Sequence, residues 1–267
     1  MLLANKIIIV TGAGGGLGEG IARVCHREGA TVVIADIRGA AAQAVADSLK
    51  DRALAVACDV RSDEQLQQLV DQTVRQFGHV DGLVNNAGVN CVKPVLETTS
   101  QDWQDVLAVD LRATFVLTQM VCRRMLEQKP AAGSIVNVAS VHTHGALHGS
   151  VTYDAAKWGM IGVTKCMAIE LAAQGIRVNA VSPGLVATQI WEDVKAAAPD
   201  VRQCEDYFYS NIPIGRPIEP VEIGELVAFL LSDRSRCIVG SNIFADGGMS
   251  SQLISKPPFE FKSIGGQ

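Results

Sequence analysis

The fold is decided by residues 6–18, Lys6-Ile7-Ile8-Ile9-Val10-Thr11-Gly12-Ala13-Gly14-Gly15-Gly16-Leu17-Gly18. The apolar start reads as a buried strand, and the following run, 19–28, has helical periodicity. The glycines between them remove side chains, so the backbone can approach a pyrophosphate. Its charge is favoured by the free amides and positive dipole end of the helix. A glycine motif alone is often only a tight turn; its placement between a strand and a helix points to a dinucleotide. On this reading Gly12, Gly14, Gly15, Gly16, Leu17 and Gly18 line the cofactor.

The rest of the chain repeats this alternation. Short β-branched runs at 6–10, 31–35, 53–57, 82–84, 134–138, 177–181 and 242–244 are separated by helical patterns, which predicts βαβ crossovers. The expected fold is α/β: a Rossmann-type, doubly wound parallel sheet of seven strands with helices on both faces. A chain of 267 residues, 48% hydrophobic, can enclose one such core as a single dinucleotide-binding catalytic domain over 1–267. Gly29, Gly78 and Gly175 each follow a helical pattern and suit the left-handed position that ends a helix. Ser62 with Gln65, and Thr99 with Asp102, have the spacing of N-terminal caps. Residues 185–220 break the rhythm with four prolines and Trp191, Tyr207 and Tyr209, and read as a long connection serving as a substrate lid. The tail, about 250–267, has no strand or helix pattern.

Charge and composition narrow the partners. A net charge of -5 with acidic residues spread throughout leaves no basic stripe for a nucleic-acid backbone. No apolar run approaches the roughly 20 residues of a spanning helix, so no membrane partner is expected. The first residues lack the basic flank and cleavage site of a secretory signal, which makes the cytoplasm the simplest compartment. Seven scattered cysteines form neither C-x-x-C nor another zinc spacing, and read as reduced thiols with no metal.

Asp36 stands 18 residues after Gly18, at a strand end, with Ile37 beside it. A carboxylate there can accept both adenosine ribose hydroxyls and repel a 2′-phosphate, which favours NAD over NADP. Arg38 works the other way, as a cation that could hold that phosphate.

Tyr153 and Lys157 are four apart at the start of a long apolar helix, 151–174, and so share one face. A free phenol titrates near ~10, so acting as a base at neutrality needs about 4 kcal/mol of help. An ammonium one turn away and a positive nicotinamide ring together supply it. Tyr153 then takes the hydroxyl proton in oxidation and returns it in reduction. Ser140, thirteen residues earlier at a strand end, can hydrogen-bond the reacting oxygen.

With these residues the chain resembles the short-chain dehydrogenase/reductase family from about Lys6 to about Met249. The match also includes Asp59-Val60, Asn85-Asn86-Ala87-Gly88, Arg177-Val178-Asn179, Pro183-Gly184 and Asp246-Gly247-Gly248. The resemblance implies that Asp59 and Val60 contact adenine and that Asn86, Ala87 and Gly88 line the cofactor. It implies too that Lys157, beside Tyr153, bonds the nicotinamide ribose. Pro183, Gly184, Val186 and Thr188 would hold the carboxamide, and homotetramers or dimers would form through helices near 103–126 and 151–174. One position departs: where the family carries a catalytic Asn, this chain has Asp110. Asp110 keeps the backbone carbonyl that the family uses for a relay water, but loses the amide donor. Its carboxylate could hold the charge of Lys157 more firmly or be protonated through burial. It could also simply bend its helix. Enoyl reductases resemble a Tyr and Lys with six residues between them; three intervene here.

The substrate side is expected at His142 and His148 after Ser140, at Asn90, and at Trp191 and Tyr207 in the lid. With His144 the histidines could suggest a metal, but no carboxylate or cysteine completes a set. Polar donors with aromatic faces suit a sugar, polyol or other small hydroxy compound, taken from secondary alcohol to ketone or from lactol to lactone. The alternatives are an apolar alcohol such as a hydroxysteroid, and a catalytically silent NAD-binding regulator.

Overall fold

A computed structural model describes residues 1–129 and 131–254. Seven strands, β1 (Ile7–Thr11), β2 (Thr31–Asp36), β3 (Ala53–Ala57), β4 (Gly82–Asn85), β5 (Gly133–Val138), β6 (Ile176–Pro183) and β7 (Asn242–Ala245), pair in one sheet. The order is β3-β2-β1-β4-β5-β6-β7 and every pairing is parallel. This is the doubly wound sheet expected from the alternation. Strand ends differ from expectation by a residue or two. β6, for example, continues to Pro183 because Ser182 and Pro183 still pair with Phe244 and Ala245.

Helices α1 (Gly16–Arg27), α2 (Gly39–Leu49), α3 (Asp63–Phe77), α4 (Ser100–Leu107), α5 (Ala113–Glu127), α6 (Val151–Leu171), α7 (Gln189–Ala197), α8 (Val201–Ser210) and α9 (Pro220–Leu231) accompany the strands. Within β1, Ile8 and Val10 join a core with Ile21 and Val24 of α1 and Ile223 and Val227 of α9. Ile9 between them joins another core, with Leu66 and Leu69 of α3 and Leu117 and Val121 of α5. The two-residue period of the strand thus feeds both layers. Each such side chain, wholly buried, contributes about 1.5–3 kcal/mol. The helix ends obey their local chemistry: Ser62 accepts the Gln65 amide, Thr99 and Asp102 form a reciprocal box, and Gly29, Gly78 and Gly175 have φ of 97°, 84° and 83°.

The chain leaves β1 toward β2 and β3 on one side and toward β4 to β7 on the other. The two windings diverge above the carboxyl ends of β1 and β4, where open α/β sheets hold ligands. Thr11, Asp36, Asn85 and Val138 all end their strands on this edge.

The lid differs from the long connection expected. It contains two helices, α7 and α8. Pro199 forces extended backbone on Ala198 (φ -76°, ψ 139°), which ends α7, and Asp200 accepts the Gln203 amide at 3.1 Å to start α8. The aromatic residues that marked the segment pack these helices together. Of the tail, residues 255–267 lie outside the described residues. Among the described residues no helix is long and apolar enough to cross a membrane. Among them, too, no three His, Cys, Asp or Glu side chains converge as a metal site. The cysteines are unpaired, and burial pushes the thiols of Cys25 and Cys122 up to about 12 and that of Cys58 to about 11.

Candidate active site

The glycine loop is shaped by contacts that leave no room for side chains. A Cβ on Gly18 would overlap the carbonyl oxygen of Gly12, and one on Gly14 would stand 2.8 Å from the Asp36 carboxyl carbon. Gly14 donates its amide to Asp36 Oδ2 at 2.9 Å. Arg38 donates its backbone amide to Asp36 Oδ1 at 2.9 Å and its Nε at 3.2 Å. Asp36 is buried at the end of β2, and the Arg38 guanidinium is turned onto it. Ile37 is exposed beside them. This cradle fits a dinucleotide: bare amides at the start of α1 for a pyrophosphate, and a carboxylate for ribose hydroxyls.

Asn86 clamps the loop from β4. Its side-chain amide donates to the carbonyls of Thr11 (2.9 Å) and Gly12 (3.2 Å), and the Asn86 and Ala87 backbone amides both donate to Thr11 Oγ1. Thr11 is therefore a positioning residue that the site prediction omitted, although it directly precedes the first glycine. Asp59 is engaged by Arg61 through both carboxylate oxygens, which holds it below the usual carboxylate range. Val60 is buried in the core. Gly184 passes so close to Asp246 that a Cβ would meet its Cα at 2.9 Å. Beyond Pro183, a bridge between Val186 and Ile218 holds the next turn, and Thr188 lies against Gly16.

Tyr153 and Lys157 of α6 are brought together with Asp110 from the turn before α5, and His142 links Tyr153 to Ser140 at the end of β5. Lys157 is buried on α6. Its Nζ donates to the Val138 carbonyl at 3.0 Å, lies 3.2 Å from Asp110 Oδ2, and is 5.2 Å from the centre of the Tyr153 ring. Burial opposes its charge, but Asp110 and then the Tyr153 oxygen outweigh burial, and its pKa is raised. Asp110 is wholly buried; burial raises its pKa against the pull of Lys157 and of the Val89 amide.

The prediction of one long helix across Asp110 is corrected in detail. Residues Ala108–Arg112 form a π-helical turn between α4 and α5. This widened turn presents Asp110 to the strand ends, where Oδ1 accepts the Val89 amide at 2.8 Å. The Asp110 carbonyl accepts from Thr114 Oγ1 at 3.2 Å. Asp110 therefore ties the loop after β4 to the helix that faces Lys157, and the turn is π-helical rather than merely bent.

The turn after β5 is held from beneath. Thr143 Oγ1 lies 2.9 Å from the Ser140 carbonyl and 2.9 Å from Ser182 Oγ on β6, and accepts from Asn242 on β7 at 3.0 Å. Behind Ser140, Asn137 and Asn85 bond each other across adjacent strands and reach Thr164 and Thr118 on α6 and α5. The amide-bearing Asn85 and Asn137 at matching positions of apolar strands were the available signal for this network.

On the substrate side, His142 is half-buried beside Tyr153, whereas His148 and Asn90 are exposed at the rim. Tyr207 is exposed against Phe208. Trp191 corrects the expectation of an open stacking face. It is 2% exposed, with Phe208 at 5.1 Å, Tyr209 at 5.9 Å and Lys195 Nζ at 5.7 Å from its ring, and forms the core of the lid. A two-helix lid needs its own apolar centre, and Trp191 supplies it.

A family model described as "Enoyl-(Acyl carrier protein) reductase" matches residues 12–250. A meso-2,3-butanediol dehydrogenase of Serratia marcescens is 37% identical over 94% of this chain and 97% of its own length. An L-fucose dehydrogenase of Oryctolagus cuniculus is 36% identical over 98% and 90%. Among solved structures, a 3-ketoacyl-(acyl-carrier-protein) reductase from Brucella melitensis complexed with NADH superposes with a TM-score of 0.85. It is 34% identical and covers 93% of this chain and 99% of that one.

Proposed function

Because this chain belongs to the short-chain dehydrogenase/reductase family, we propose that it is an NAD-dependent dehydrogenase interconverting a secondary alcohol and a ketone on a small hydroxylated substrate. Ser140, Tyr153 and Lys157 carry the reaction, with Asp110 behind the lysine. The observation that carries this reading is the buried Lys157 ammonium, set between the Asp110 carboxylate and the Tyr153 ring. A cation there stabilises the phenolate over the phenol, as a base near neutrality requires.

A bound nicotinamide ring supplies the hydride acceptor in oxidation and the donor in reduction. Tyr153 Oη takes the proton from the substrate hydroxyl as the carbon–hydrogen bond breaks, and returns it to the carbonyl oxygen in the reverse direction. Ser140 Oγ donates a hydrogen bond to the same oxygen and holds it beside the phenol. Lys157 keeps the phenolate accessible and orients the ribose. The four-residue spacing of Tyr153 and Lys157 departs from the six intervening residues of enoyl reduction, which favours alcohol–ketone chemistry over that named by the matching model.

NAD is favoured over NADP by Asp36, whose carboxylate already engages Gly14 and draws Arg38 onto itself. The butanediol and fucose dehydrogenase relatives favour a polyol or sugar over a hydroxysteroid. The exposed Phe115 and Leu126 on α5 and Trp158 and Ile169 on α6 support a homotetramer or dimer joined through these helices. A cytoplasmic location belongs to the same proposal. The test is NADH formation, followed by absorbance, with NAD or NADP against sugars, polyols and hydroxysteroids, with Tyr153→Phe as control. Turnover on polyols with NAD, abolished in that variant, supports the reading; turnover only on large apolar alcohols overturns the substrate class.

A further inference from the structure

We propose that Asp154 and His142 form a dyad that recognises a second hydroxyl on the carbon next to the reacting one, making the site selective for vicinal diols and α-hydroxy ketones. The proposal rests on the dehydrogenase reading above and adds the feature of the substrate that the site selects.

The dyad fixes which imidazole nitrogen is free. Asp154 directly follows Tyr153 on α6 and is 9% exposed. Its Oδ2 accepts the Leu147 amide at 3.2 Å, and its Oδ1 lies 2.5 Å from His142 Nδ1. A carboxylate offers only acceptors, so Nδ1 carries a proton and donates it to Asp154, which leaves Nε2 as the ring nitrogen available to a substrate. Among the described residues no hydrogen bond to Nε2 is formed, and the side chain is 18% exposed. A ring nitrogen without a protein partner, beside Ser140 and Tyr153, is suited to a substrate hydroxyl, which can both donate and accept.

The ring is also in the right place. His142 is two residues from Ser140 and donates its backbone amide to Ser140 Oγ at 3.2 Å. Its ring meets the Tyr153 ring edge-on, with centroids 5.2 Å apart at 84°. The two groups proposed to hold the reacting oxygen thus both contact His142. The Thr143 bonds to Ser182 and Asn242 hold the turn to β6 and β7, and Asp154 holds the ring. His142 is then a substrate-contacting residue and Asp154 a positioning residue.

The test compares 2,3-butanediol with 2-butanol, which differ only in the second hydroxyl, as substrates for NAD-linked oxidation. Wild-type protein should favour the diol in kcat/KM by roughly tenfold, the worth of one added hydrogen bond. In His142→Leu the ratio should fall toward one, chiefly through a higher KM for the diol. His142→Gln, which restores a hydrogen-bonding group, should recover part of it, a rescue that a merely structural histidine would not give. Asp154→Ala should lower the ratio by freeing the ring, with NADH fluorescence reporting an intact cofactor site. An unchanged ratio in His142→Leu, or no diol preference in the wild type, overturns the dyad while leaving the dehydrogenase reading in place. No oxidation of any secondary alcohol by the wild type overturns that reading and the dyad with it.

Discussion

Lys157 Nζ lies 3.2 Å from Asp110 Oδ2 in an ion pair closed off from solvent, with side-chain exposures of 4% and 0%. Oδ2 has no aligned hydrogen-bond donor among the described residues, so the two groups meet by charge. The family resemblance places an asparagine at this position. Here a carboxylate stands in its place, accepts the Val89 amide and adds a charge facing the lysine.

In Asp110→Asn, Lys157 loses the charge that holds its pKa up, while burial continues to push it down. The ammonium is then lost at a lower pH, so the alkaline limb of the turnover profile should move toward neutrality and activity at high pH should fall. A pH series of kcat for both proteins checks this. Turnover raised at every pH would show that the carboxylate hinders rather than supports the lysine.

Asp36→Ser removes the acceptor for the Gly14 amide and releases Arg38. The ratio of kcat/KM for NAD to that for NADP should fall at least about tenfold, because the repelling carboxylate is gone and the Arg38 guanidinium it held is free for a 2′-phosphate. Parallel kinetics with the two dinucleotides measure it; an unchanged ratio would remove Asp36 from the specificity argument.

Trp191→Ala empties the centre of the lid. Loss of a buried tryptophan costs about 3–5 kcal/mol where its surroundings cannot collapse, and here the loss falls on α7 and α8. Limited proteolysis should show faster cleavage within 185–220, with the sheet and glycine loop still resistant. Equal cleavage rates would mean that Trp191 does not hold the lid.

Glu222 at the start of α9 is held down to about 2 by Arg216 and by the Glu219 amide. Its depressed pKa adds stability above the unfolded value of about 4.3, and that stability is lost as pH falls toward 2. Glu222→Gln should therefore lower the unfolding free energy near neutrality by less than about 1 kcal/mol, since the pair is exposed. The difference should vanish on acidification through that window. A constant difference across pH would assign the effect to packing instead.

The sheet and the cofactor cradle were legible because both depend on local pattern. β-branched runs, glycines at turns and Asp36 at a strand end each carry their meaning within a few residues. The lid was read as a long connection because Pro199 and Pro213 mask two helices that pack together through Trp191, Phe208 and Tyr209. Trp191 looked like a stacking surface for the same reason: sequence shows an aromatic residue, and only packing shows which side is covered. The His142–Asp154 pair lay beyond the sequence reading because the two are brought together by the path of the loop between them. The π-helical turn at Asp110 was hidden because its residues continue an ordinary helical pattern.

The central claim is that Tyr153 moves the substrate proton beside a buried Lys157 ammonium. Its most direct test is NADH formation from NAD and a polyol by wild-type protein and by Tyr153→Phe, with NADH binding measured on both by fluorescence. The account predicts turnover reduced at least about a hundredfold in the variant, with NADH binding retained. Turnover close to that of the wild type in Tyr153→Phe would contradict it.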